Sequence, residues 1–191
     1  SPVLQGLSFW IGHRYEKFSN HPLVEGAIVG EMCNLISSKI GSSQRLLCET
    51  KYSRIIGSGN DRRLADLTIS SNETKPGIKH KLSSEIESVV EVKRYSQSLK
   101  AIYEDMRKLL ELKRANSTPR TFLVLVAQRT RPETFVSEEG KARRDHFDIP
   151  DENGEFRVRT VKKAAKGFDS YNYAHYSCLI EVFKSTDKFY T

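Results

Sequence analysis

The sequence predicts an α/β protein, a mixed β-sheet flanked by helices. Three observations lead there. Apolar residues recur at helical spacing in two separate stretches, 21–40 and 96–114. Between them lie three short runs rich in β-branched and apolar residues, separated by turn signals. After the second helix comes Thr121-Phe-Leu-Val-Leu-Val-Ala127, a nearly continuous apolar run that reads as a central strand covered on both faces. The order helix, three strands, helix, strand spans residues 21–127. A single domain over 1–191 is expected, with 129–191 as a basic, mixed extension.

Residues 3–18 mix aliphatic and aromatic residues without a clean period and are read as a helix. The helix over 21–40 has Asn20 as a cap, Pro22 in its first turn and Gly41 just past its end. Val24, Ile28, Met32, Leu35 and Ile36 form its apolar arc. Glu31 stands at the edge of that arc, and Glu25 falls within it in the first turn, where an acid favours the helix dipole. Gly26 and Gly30 have a GxxxG spacing, read as close helix packing. Arg45–Ile56 reads as the first strand, with Leu46, Cys48 and Tyr52 at alternate positions. A Gly-Ser-Gly-Asn-Asp turn leads to the second strand, Arg62–Ser70, paired with the first as a hairpin. Residues 71–83 form a polar loop carrying Lys75, Lys79, His80 and Lys81. The third strand covers 86–94, and Leu99, Ile102, Met106, Leu109 and Leu110 define the inner face of the second helix. Residues 129–170 are charged and turn-rich, and 173–184 form a last strand.

Composition narrows the function classes. The formal net charge is +7, which suits an anionic partner such as nucleic acid. Cys33, Cys48 and Cys178 are odd in number and lack CxxC spacing, so they read as reduced core cysteines of an intracellular, cytoplasmic or nuclear protein. No run is long and apolar enough to span a membrane. The chain opens Ser-Pro with no Met, the mark of a trimmed chain or a piece of a longer one, so a partner domain or subunit is compatible with it. The five histidines are scattered outside any HExxH setting, Ser58 sits in a turn and not in a nucleophile elbow, and no GxxxxGK[ST] loop exists. Zinc-protease, serine-hydrolase and nucleotide-hydrolase chemistry are therefore disfavoured.

Two conflicts between charge and setting locate the site. Asp66 interrupts the apolar run Leu64-Ala-Asp-Leu-Thr-Ile69, and Glu91 and Lys93 interrupt Ser88-Val-Val-Glu-Val-Lys93. Glu91 and Lys93 share a face of their strand, because side chains alternate. Charges buried in a strand are costly unless paired or bound to an ion. An ordinary Glu91–Lys93 ion pair is the plainer alternative. If the second and third strands are neighbours, two carboxylates meet there and would hold one Mg²⁺ or Mn²⁺, which takes few carboxylates, keeps waters and accepts phosphate oxygen. Lys93 would then orient water or stabilise negative charge, and Glu31 would support the ion or the water.

Asp66, followed some two dozen residues on by Glu91-Val92-Lys93, resembles the PD-(D/E)xK nuclease superfamily, with Ala65 where the name motif has proline. The resemblance covers residues 21–127 and implies a restriction-endonuclease-like fold with an αβββαβ core. It implies that Asp66, Glu91 and the Val92 carbonyl are metal ligands, that Lys93 is the catalytic lysine, and that Glu31 is the acid of the first helix. The second helix, with Tyr103 and Arg107, would line the substrate groove. Gln97 and Tyr103 lack the spacing of the exonuclease-like branch. The function expected is metal-dependent hydrolysis of DNA phosphodiesters, by a monomer or a homodimer. An RNA endonuclease and a non-catalytic nucleic-acid-binding scaffold of the same fold are the alternatives. Arg62, Arg63, Lys79, Lys81, Arg143, Arg144, Lys162 and Lys163 are the candidate phosphate-backbone contacts.

Overall fold

Residues 121–127 are buried at every position, as a strand covered on both faces must be. This strand, β4 (Arg120–Ala127), lies at the centre of a seven-stranded mixed sheet. The computed structural model describes residues 1–18, 20–21, 23–57, 59–71, 85–95, 98–164 and 173–185. The other strands are β1 (Gln44–Lys51), β2 (Leu64–Ser71), β3 (Ile86–Arg94), β5 (His146–Asp148), β6 (Gly154–Ala164) and β7 (His175–Lys184). Their spatial order is β1-β2-β3-β4-β7-β6-β5. All neighbours are antiparallel except β3 and β4. A parallel pair needs a crossover, and here it passes through a helix.

The helices are α1 (Pro2–Lys17), α2 (Glu25–Ser37), α3 (Tyr52–Ile56) and α4 (Leu99–Ala115). They divide the apolar residues into two cores. On one face Leu4, Leu7 and Ile11 of α1 and Ile28, Met32 and Ile36 of α2 pack with Leu67, Val90, Val92, Val124 and Val126. On the other, Ile102, Met106, Leu109 and Leu110 of α4 and Tyr52 and Ile55 of α3 pack with Val89, Leu123, Leu125, Phe135 and Phe156. Val89 and Val90 therefore go to opposite cores, as the pleat requires.

Several boundaries differ from expectation for identifiable reasons. The second helix of the chain begins at Glu25, with Val24 as its N-cap and no side-chain cap, so Asn20 does not start it. Gly26 and Gly30 face open space, and the close approach between α1 and α2 is at Gly6, where a Cβ would stand 2.9 Å from Leu35. β1 ends at Lys51, and Tyr52 opens a short helix closed by Gly57 in the left-handed conformation. Of the cysteines only Cys178 is buried; Cys33 is half-buried and Cys48 exposed, with their sulfurs 3.3 Å apart. The charged stretch after residue 129 contains β5 and the eleven-residue β6, which pairs with β7. Among the described residues no helix is long and apolar enough to cross a membrane.

Candidate active site

The ladder between β2 and β3 pairs Leu67 with Val90 and ends there. Past that pair the strands part, and the first residues beyond it are Asp66 and Glu91. Asp66 Oδ2 accepts the Val92 N–H at 2.7 Å, so a side chain satisfies the amide that the departing strand leaves. This geometry turns a break in the sheet into a site. Two strands that diverge beside a covered sheet expose their inward side chains to each other and to the gap.

Glu91 is 7% exposed and points to the α3 and α4 face. Its Oε1 accepts a hydrogen bond from the Tyr52 hydroxyl at 2.6 Å. Burial pushes the Glu91 carboxyl up to about 8; the Tyr52 hydroxyl works the other way, while Asp66 and Asp105 add to the rise. Asp66 is also raised, chiefly by burial. The Asp66 and Glu91 carboxyls are close enough to interact, and that interaction raises Glu91 while working against the rise of Asp66. Burial likewise lifts the Tyr52 hydroxyl far above its ordinary range, reinforced by Glu91, and it stays a donor.

Lys93 lies on the same face two residues on. Its Nζ stands 3.0 Å from Asp105 Oδ2 of α4 and 3.6 Å from Glu25 Oε1 of α2. Burial pulls the Lys93 ammonium down, but Asp105 and Glu25 more than offset it, and the net shift is upward. Lys93 is thus held as a fixed cation, not paired with Glu91. Asp105, 6% exposed, is itself bridged by Lys108 Nζ at 2.6 Å. Glu25 also accepts the Arg94 N–H at 3.2 Å, and the Arg94 guanidinium donates to Leu23 O at 2.7 Å, which pins the start of α2 over the end of β3.

The structure therefore brings Asp66, Glu91, Val92 and Lys93 together, and the α2 acid in contact with Lys93 is Glu25. Glu31 lies six residues further along α2, about 120° round the helix from Glu25, and is half-buried away from the four. Tyr103 and Arg107 do not line the site. Tyr103 packs against Phe156, and Arg107 donates to Pro150 O and pairs with Asp151 beyond β5. Asp105, between them, is the α4 residue whose side chain reaches Lys93.

Tyr52 and Asp105 are the site residues that sequence reasoning missed. Tyr52 was expected in a strand, where its hydroxyl has no defined target. Asp105 offered a signal: it falls beside Ile102, Met106 and Leu109 on the apolar face of α4, an acid at a core position.

The cationic residues divide. Arg63 is held by Asp61 at 2.7 Å and Glu111 at 2.6 Å, with its guanidinium 5.1 Å from the Tyr52 ring centroid, and it braces Tyr52. Arg62 is exposed and lines a polar cavity with Lys51, Ser53 and Asn60. Lys162 and Lys163 lie half-buried near the end of β6. Arg143 and Arg144 are exposed just before β5. Lys79 and Lys81 lie outside the described residues.

Among the described residues no three His, Cys, Asp or Glu side chains are grouped to hold a metal ion. The donor set at the fork is two carboxylates, Asp66 and Glu91, which fits a hard cation that completes its shell with backbone oxygen and water. A divalent cation bound between them would relieve the repulsion of the two carboxylates. No family model matches this chain, and neither a curated protein nor a solved structure does.

Proposed function

We propose that this chain is a metal-dependent nuclease of the PD-(D/E)xK kind, hydrolysing DNA phosphodiesters at the fork between β2 and β3. The observation that carries the reading is the fork itself, with the buried Glu91 carboxyl beside the half-buried Asp66 carboxyl and a fixed lysine cation on the same strand face. A divalent ion, Mg²⁺ or Mn²⁺, when bound to Asp66 and Glu91 and the Val92 carbonyl, supplies polarisation of the phosphate and a bound water of lowered pKa.

The chain's own residues do the rest. Asp66 is oriented by the Val92 amide and Glu91 by the Tyr52 hydroxyl, so both oxygens are positioned before substrate arrives. Lys93, kept protonated by Asp105 and Glu25, places a positive charge beside the scissile phosphate and stabilises the charge that develops there. Glu25 faces the same gap and is the acid placed to hold a water. Arg62, Lys162 and Lys163 supply phosphate-backbone contacts.

The deciding experiment is cleavage of supercoiled plasmid, linear duplex, single-stranded DNA and RNA with Mg²⁺, Mn²⁺ or EDTA, for wild type and Asp66→Ala. Metal-dependent cutting lost in the variant is expected. Cutting that survives Asp66→Ala places the chemistry elsewhere. No cutting of any substrate removes the nuclease reading in favour of a binding scaffold.

A further inference from the structure

The end of the sheet that holds the acids also gathers rings and cations that the cleavage chemistry does not use. In register Lys93 pairs with Leu125 and Arg94 with Val126 on β4, while Ala127 pairs with Tyr176 on β7 and His175 pairs with Ala164 on β6. Arg129, just past β4, Tyr173, just before β7, and the last turn of α1 therefore share that end. Arg129 adopts φ 53, a left-handed backbone held by a non-glycine residue. Its guanidinium donates to the Tyr15 hydroxyl at 3.1 Å and lies 5.4 Å from the Tyr15 ring centroid and 5.6 Å from that of Tyr173. Tyr173 remains 55% exposed. On the same helix Arg14 lies 5.6 Å from the centroid of Phe18, which is 51% exposed.

We infer that Tyr173, Arg129 and Tyr15 form a stacking platform for an unpaired DNA strand entering the β2–β3 fork. The inference rests on the nuclease reading of that fork and adds the substrate class, a single strand or a frayed end. Alternating rings and cations suit such a strand because every base has a π-face to stack and every phosphate a charge to neutralise. A continuous duplex hides its base faces and offers this surface its phosphates alone. Arg129 is four residues beyond Leu125, the partner of Lys93, so at most about 14 Å of chain separates the platform from the level of the lysine. That is a span of a few nucleotides. The left-handed Arg129 fits the same reading, since a strained residue is retained where its side chain must be aimed.

The test is fluorescence anisotropy in EDTA, where no cleavage occurs, with a labelled single-stranded DNA of about 16 nucleotides and the same sequence as a blunt duplex. Wild type, Tyr173→Ala and Tyr173→Phe are compared. Tyr173→Ala is expected to weaken single-strand binding about 10-fold and duplex binding less than about twofold, with Tyr173→Phe close to wild type. An equal loss on both DNAs, no loss on the single strand, or a loss in Tyr173→Phe as large as in Tyr173→Ala overturns the platform. Thermal melting of each variant identifies a loss that comes from unfolding, and Arg129→Gln then repeats the comparison. Because binding is read without metal, failure of the platform is distinct from failure of the nuclease reading, which shows as absence of cleavage with Mg²⁺ or Mn²⁺.

Discussion

Glu91 is the residue whose surroundings work hardest against its charge. Its carboxyl ordinarily loses its proton near 4.5, and burial in the folded chain moves that to about 8. Between those values the folded chain keeps a proton that the unfolded chain has released. Stability without metal is therefore full below the lower value and falls as pH rises through the window. Melting in EDTA from about pH 5 to about pH 9 should show this fall in wild type and a much flatter profile in Glu91→Gln, with the raised Asp66 acting in the same direction. The neighbours of the site separate by role. Tyr52→Phe removes the donor to a proposed ligand and should weaken Mn²⁺ binding about 10-fold by calorimetry. Asp105→Asn leaves both acids in place and releases Lys93, so Mn²⁺ affinity should hold while kcat drops about 10- to 100-fold. A drop in Mn²⁺ affinity in Asp105→Asn would mean that Asp105 itself takes part in binding the ion.

At the scale of elements, glycines report how tightly the helices sit. A Cβ on Gly154, at the start of β6, would lie 2.3 Å from Leu110 Cδ2, and Leu110 is fully buried in α4. Gly154→Ala should cost about 2 kcal/mol in urea unfolding, since the leucine has little room to move. Gly26 and Gly30 on α2 meet nothing within 4 Å. Gly30→Ala should stabilise by about 0.5–1 kcal/mol through helix propensity alone. A loss at Gly30→Ala would show that α2 has a partner on that face. Pairing at the other end of the sheet is locked by charge: Glu181 of β7 accepts from Arg120 of β4 at 2.9 Å and from Arg159 of β6. Burial raises the Glu181 carboxyl, but the two guanidinium groups outweigh it and the net shift is downward, so this tie loosens only in acid.

At the scale of the molecule, the described cations differ in what holds them. Arg62, Lys93, Arg94, Arg129, Lys162 and Lys163 belong to the end with the fork, whereas Arg120 and Arg159 are bound to Glu181. Cations that meet phosphates should each contribute about one unit to the slope of log affinity against log salt. Arg62→Ala and Lys162→Ala should each flatten that slope by about one, while Arg120→Met leaves it unchanged. A uniform effect of all three would point to general attraction by the net charge of +7 in place of a defined groove.

The sequence by itself determined the elements whose pattern is local. β3 runs from Ile86 to Arg94 as expected, β4 and β7 lie where their apolar runs place them, and the acids Asp66 and Glu91 stood out because a strand core has no water to solvate them. β6 was legible too, in the alternation of Phe156 and Val158 with Glu155, Arg157 and Arg159, but its charged composition masked the period. Only the tertiary structure decided the rest. That Glu25 and not Glu31 meets Lys93 depends on where the start of α2 rests over the end of β3. That Tyr52 turns inward to Glu91 depends on a helix of five residues between paired strands. Both are contacts between residues far apart in the chain, set by the meeting of whole elements, and no local period encodes them.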